Sequence, residues 1–186
     1  MGDVYRRQEK FTKAADAYSA AIKRVATPEP HHWSLFYARG IALERAKRWK
    51  ESEKDLLKAL ELRPDQPYVL NYLGYTWIDQ GEQLDRATDM IKKAVSLAPN
   101  DGFIADSLGW AYYRVGKYDE AVAELERAVE LRPQDPVIND HLGDAYWMVG
   151  RKLEARFQWK RSLSLDPDED LIPKIKAKLE SGLEPS

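Results

Sequence analysis

The chain has 186 residues, of which 44% are hydrophobic, 32% charged and 11% aromatic, with 29 Lys and Arg against 31 Asp and Glu and a formal net charge of -2. This profile excludes a disordered chain, contains no apolar run long enough for a membrane span, and lacks the basic excess of a nucleic-acid or anionic-membrane binder. Cysteine is absent, which removes disulfides, iron–sulfur clusters and thiolate chemistry together.

A period runs through the sequence. Gly40, Gly74, Gly109 and Gly143 are separated by 34, 35 and 34 residues, and Pro64, Pro99, Pro133 and Pro167 by 35, 34 and 34. Ala87, Ala121 and Ala155 fall 34 apart. Repeats of this length, each too small to bury its own apolar face, stack against their neighbours.

In chain order, residues 1–32 hold a truncated first unit and a linker. Gly2-x-x-Tyr5 and Ala14-x-x-x-Tyr18 align with the later units, but Met1 stands at a leucine position. The chain is therefore expected to begin inside a helix, as a piece of a longer protein with further repeats upstream. Residues 2–7 lack the basic-then-apolar order of an export signal. Ala26-Thr27-Pro28-Glu29-Pro30 predicts a stiff bend, and His31-His32 reads as an exposed polar pair beside it. The unit 33–66 is looser, with Arg39, Leu43 and Ser52 where the others carry leucine, an aromatic residue and alanine. The unit 67–101 has Leu73-Gly74-x-x-Trp77, Ala87-x-x-x-Ile91 and Pro99, with one extra residue expected in the turn after Gly81.

The unit 102–135 is the most regular. Its first helix is predicted near 102–115, with Leu108-Gly109-x-x-Tyr112 facing its partner helix. Gly116 supplies a left-handed stop, and a second helix over 118–131 carries Ala121, Leu125, Ala128 and Val129. The unit 136–169 repeats the design through Leu142-Gly143-x-x-Tyr146, Ala155-x-x-x-Trp159 and Pro167. Trp49, Trp77 and Trp159 are expected in the core. Residues 170–186 read as a capping helix and tail: Asp168-Glu169-Asp170 start the helix, Leu171, Ile175 and Leu179 face inward, and Lys174, Lys176, Lys178 and Glu180 solvate the outer face.

These motifs resemble the tetratricopeptide repeat (TPR) family. The resemblance implies an all-α fold, a right-handed α-solenoid of tandem helix–turn–helix units with a C-terminal capping helix. It also implies a concave face lined by the first helix of each unit. A second stripe on those helices, rotated from the core stripe, contains Ser34, Tyr37, Ile41 and Glu44, then Tyr68, Asn71, Tyr75 and Ile78. It continues through Phe103, Asp106, Trp110 and Tyr113, then Val137, Asp140, Asp144 and Trp147. Tyr, Trp and Arg are the commonest anchors of protein interfaces. The candidate groove is therefore Tyr37, Tyr68, Asn71, Tyr75, Phe103, Asp106, Trp110, Tyr113, Arg114, Asp140, Asp144 and Trp147. The same rings also suit packing between adjoining first helices.

Some family members clamp a peptide's terminal carboxylate with basic residues on these helices. Here Asn71, Asp106, Asp140 and Asp144 occupy the stretch, with only Arg45 and Arg114 basic, so the expected ligand is apolar and basic. The runs 106–116 and 140–147 are similar to the C-terminal repeats of bacterial outer-membrane TPR lipoproteins. That resemblance implies a periplasmic adaptor for a protease or for envelope assembly, anchored through an upstream segment; without it the expected compartment is the cytoplasm.

The expected function is a protein-binding scaffold without catalytic residues, metal or cofactor. Its partners are other proteins met at the concave face, with no nucleic acid and no membrane insertion of this segment. His31, His32 and His141 have no convergent ligand set, and His141 is expected to line the surface. No phosphate loop, dinucleotide fingerprint or nucleophile elbow occurs. Two other readings stand beside the scaffold: a self-assembling structural array, as a homo-oligomer, and the regulatory arm of a larger enzyme.

Overall fold

The computed structural model describes residues 1–183; the end of the expected tail lies outside the described residues. Glycine, alanine and proline fall where a helix pair needs close approach, a turn or a stop, and the helices follow that punctuation. Among the described residues there are eleven α-helices and no strand: α1 (Gly2–Arg7), α2 (Phe11–Ile22), α3 (Trp33–Arg45), α4 (Trp49–Leu62), α5 (Pro67–Gln80), α6 (Leu84–Leu97), α7 (Gly102–Arg114), α8 (Tyr118–Leu131), α9 (Pro136–Met148), α10 (Lys152–Ser164) and α11 (Leu171–Ser181). The fold is all-α, built of tandem helix–turn–helix pairs as expected. None of the described helices is long and apolar enough to cross a membrane. The chain divides into two compact units, residues 1–73 and residues 74 onward.

In the first unit α1 packs on α2, and α3 on both α2 and α4. The two departures from the repeat pattern compensate locally. Ser52, at the alanine position, is fully buried and its hydroxyl donates to the Gly40 carbonyl (2.7 Å). Arg39, at the leucine position, forks onto Asp55 (2.5 and 2.7 Å) and donates to Ser19 (3.1 Å). A buried carboxylate thus has its charge matched. Trp49, expected in the core, is only partly buried. The histidine pair starts a helix: a short 3-10 turn, Pro30–His32, leads into α3, and His32 Nδ1 accepts from the Glu29 amide (3.0 Å).

In the second unit α7 pairs with α8 and α9 with α10, and α8 also packs on α9. Close approach explains the glycine of each motif. A Cβ on Gly109 would stand 2.5 Å from Leu125 Cγ, and one on Gly143 would stand 2.5 Å from the Trp159 ring. Trp77 and Trp159 are fully buried as expected. Asp101 and Asp135 cap α7 and α9 through paired bonds from the amides of Phe103 and Ile104 (2.9 and 3.3 Å) and of Val137 and Ile138 (3.0 and 3.1 Å). Asp170 makes no such side-chain bond at the start of α11. Ile175 nonetheless buries completely, with Leu171 and Leu179 beside it, against the core of α9 and α10.

Candidate functional site

The first helices α7 and α9 touch directly, and their contact organises the candidate site. His141 sits two residues before the motif glycine of α9. Its Nδ1 lies 2.9 Å from Asp106 Oδ1 on α7, and its ring stacks on Trp110 with centroids 4.2 Å apart. Trp110 stacks in turn on Tyr113 at 4.8 Å, nearly parallel. Tyr113 meets the edge of Tyr118 at 5.5 Å. Three flat rings thus form a column, with Trp110 and Tyr113 partly exposed and His141 buried.

Charge lies beneath the column. Burial opposes the His141 charge, but the adjacent Asp106 carboxylate, with Asp140 and Asp144 behind it, raises its pKa above the usual histidine value. An imidazolium against the Trp110 face adds a favourable cation–π contact. Asp140 and Asp144 meet Lys178 of α11, whose Nζ donates to both (2.8 and 2.7 Å). Asp144 also accepts from the Trp159 indole N–H (2.8 Å). Burial pushes the Asp144 carboxyl up to about 6, against the pull of Lys178. Asp140 Oδ1 is buried with no hydrogen-bond partner among the described residues.

The rest of the stripe in this unit is mixed. Tyr75, partly exposed, has its pKa pushed up to about 12, chiefly by burial and then by Asp106 and Asp79. Arg114 is exposed and donates to the Asp79 carbonyl at the end of α5 (3.3 Å). Phe103 is half exposed, with the Arg132 guanidinium 3.9 Å from its ring centroid. Trp147 is engaged by the chain's own end: its indole N–H donates to the Leu183 carbonyl (2.8 Å) and Lys152 lies over its ring.

In the first unit Tyr37 meets Tyr72 edge-on at 6.0 Å, and the Tyr72 hydroxyl donates to Glu44 (2.8 Å). Tyr68 is exposed, and Asn71 is partly buried with its Oδ1 unpartnered among the described residues.

Several sequence readings change. Asp106, Asp140 and Asp144 are 4 to 7% exposed and lie within the helix layer rather than on an open face, because each is matched by a cation or donor from a neighbouring helix. Ile78 is fully buried, and His141 is core rather than surface lining. Lys178 is drawn from the expected solvated face of α11 to the two carboxylates. Sequence reasoning missed Tyr72 and His141 as contacts to the preceding first helix. Both stand two residues before the motif glycine, where Ala38 and Ser107 are small, and that contrast was the available signal. Among the described residues no group of three His, Asp or Glu is placed to hold a metal ion.

A family model described as tetratricopeptide repeat matches residues 1–67, and a second, described as TPR repeat, matches residues 109–150. The TPR repeat-containing protein PA4667 of Pseudomonas aeruginosa is 37% identical over 101 residues, 54% of this chain and 17% of its own length. The human mitochondrial import receptor subunit TOM70 is 28% identical over 103 residues, 55% of this chain and 16% of its own length. The chain thus spans less than a fifth of either relative. Among solved structures, the thermophilic TPR protein TTC0263 of Thermus thermophilus superposes with a TM-score of 0.77 at 19% identity, over 96% of this chain and 95% of that one. MamA from Desulfovibrio magneticus gives 0.71 at 19% identity, over 91% and 97%. At such identities the likeness concerns the fold.

Proposed function

The chain belongs to the tetratricopeptide repeat family, whose members generally mediate protein–protein interaction, and from that premise we propose that it holds a segment of another protein against its first helices. The observation that carries the reading is the Trp110–Tyr113 stack, two partly exposed rings backed by His141, which Asp106 in turn holds. A ring pair fixed before binding gives up little conformational freedom on contact, which is what makes aromatic anchors effective. The same stripe carries Tyr75, Phe103 and Arg114 in this unit, and Tyr37 and Tyr68 in the first unit.

Three carboxylates, Asp106, Asp140 and Asp144, are matched by at most two cations, His141 and Lys178. The residual negative charge favours an apolar segment that also carries basic side chains. The finer reading, an adaptor in a bacterial cell envelope, rests on the likeness of the runs 106–116 and 140–147 to lipoprotein repeats.

A phage-displayed peptide library selected on the full chain tests the proposal. Enrichment of apolar, basic peptides that no longer bind a Trp110→Ala/Tyr113→Ala variant is the expected result. Enriched peptides that bind the variant equally well would contradict it.

A further inference from the structure

Away from the first helices, the last repeat breaks a pattern that its neighbours keep. On the outer side of the second helices, one repeat position holds Asp85, Asp119 and Leu153, and the position four residues on holds Asp89, Ala123 and Phe157. Leu153 is 84% and Phe157 62% exposed. Standing at i and i+4, they form one apolar ridge along α10, a cost the sequence would avoid if the face met only water.

The charges around the ridge differ between the two helices of the same unit. The α10 segment carries Lys152, Arg156, Lys160 and Arg161 against Glu154. The α8 segment carries five carboxylates, Asp119, Glu120, Glu124, Glu126 and Glu130, against Arg127. Ala123, exposed and small, occupies on α8 the place that Phe157 occupies on α10. Lys152, Arg156 and Arg161 donate to the carbonyls of Trp147, Leu179 and Pro133 at the flanks of α10, and Lys160 stands exposed beside the ridge. On α8 Glu126 is held by Arg151, while Asp119, Glu120 and Glu130 are exposed. One helix thus carries a net basic charge with a bulky ridge, and the other a net acidic charge with a gap.

We propose that this outer face is a homodimer interface, in which two copies related by a twofold axis lay α10 of each on α8 of the other. A twofold contact uses both helices twice, so the charge match and the ridge-to-gap fit each occur in duplicate. Helices of this length are about 20 Å long and about 10 Å across, so the outer sides of the two together present roughly 400 Å² per copy. That is below the range of stable complexes, so the dimer forms weakly, at tens to hundreds of micromolar.

Sedimentation equilibrium of the full chain, from about 1 to about 300 µM, tests the idea. The expected result is a monomer at the low end, a growing dimer fraction at the high end, and weaker association as salt rises. Charge reversal then identifies the surface. A Lys152→Glu/Lys160→Glu chain and an Asp119→Lys/Glu130→Lys chain each place like charges on both contacts. Each alone should associate at least about tenfold more weakly, and their equimolar mixture should recover the affinity as a heterodimer. A Trp110→Ala/Tyr113→Ala chain should dimerise like the wild type, which separates this interface from the peptide site. A chain that stays monomeric throughout, or variants whose mixture gains nothing over either alone, would overturn the proposal. Binding of the ridge to a different acidic protein without self-association would overturn it too.

Discussion

At Lys47 the backbone adopts φ +61°, a left-handed conformation that a side chain makes costly. Lys47 falls seven residues after Gly40, and the same repeat position is left-handed at Glu9, Gly81, Gly116 and Gly150. The later units use glycine there and the first two do not. Left-handed geometry costs a side chain about 1–2 kcal/mol, whereas glycine gives back roughly 0.5–1 kcal/mol through its freer unfolded chain. Lys47→Gly should therefore stabilise the protein by up to about 1 kcal/mol, read as a higher urea midpoint with unchanged slope. A lower midpoint would show that the exposed lysine contributes something the turn geometry hides.

His141 makes the stability of the fold depend on pH. Its folded pKa lies above the ordinary 6.5, so its contribution is fully present below that value and is lost as pH rises through the folded pKa. The urea midpoint should fall as pH rises above about 6.5, and a His141→Gln chain should show a flatter profile there. Asp144, raised to about 6 mainly by burial, adds the same sign at lower pH, and the variant should keep that part. A wild-type midpoint that climbs as pH rises above about 6.5 would contradict the ion pair with Asp106.

Among the elements, α11 is attached by Ile175, Leu171 and Leu179 against the core, by Lys178 on two carboxylates, and by Arg156 donating to the Leu179 carbonyl. Lys178→Met keeps the aliphatic stem and removes the charge, leaving Asp140 and Asp144 buried without a cation. Removing one partner of a buried pair costs about 3–5 kcal/mol, and protonation of Asp144 softens this by neutralising its carboxylate. The variant should lose about 3 kcal/mol at neutral pH, lose less near pH 5, and exchange its α11 amides faster. Unchanged stability would mean that the apolar contacts of Leu171, Ile175 and Leu179 alone hold the helix. The helices themselves were legible because glycine, alanine and proline act locally: the second helix predicted over 118–131 is α8, and the extra residue after Gly81 lies in the turn where Gln83 takes φ +45°. The fate of α11's lysine was not legible, since Lys178 meets residues 34 and 38 positions earlier.

For the whole molecule, the same limit separates fold from site. A stripe counted along one helix says which residues leave the face toward its partner helix, but not what the next unit lays over them. Trp110 and Tyr113 remain partly exposed, whereas Asp106, Asp140 and Asp144 are closed over by His141 and Lys178 from elements read separately. The candidate groove is therefore aromatic at its surface and acidic beneath. The most direct test measures the affinity of a library-selected peptide for the wild type and for Trp110→Ala/Tyr113→Ala, with the helical circular dichroism signal followed in both. Anchors of this kind contribute about 2 kcal/mol or more, so the variant should bind at least about thirtyfold more weakly while its spectrum stays helical. Equal affinity with the spectrum intact would contradict the account, and so would loss of the helical signal, which would assign both rings to the fold.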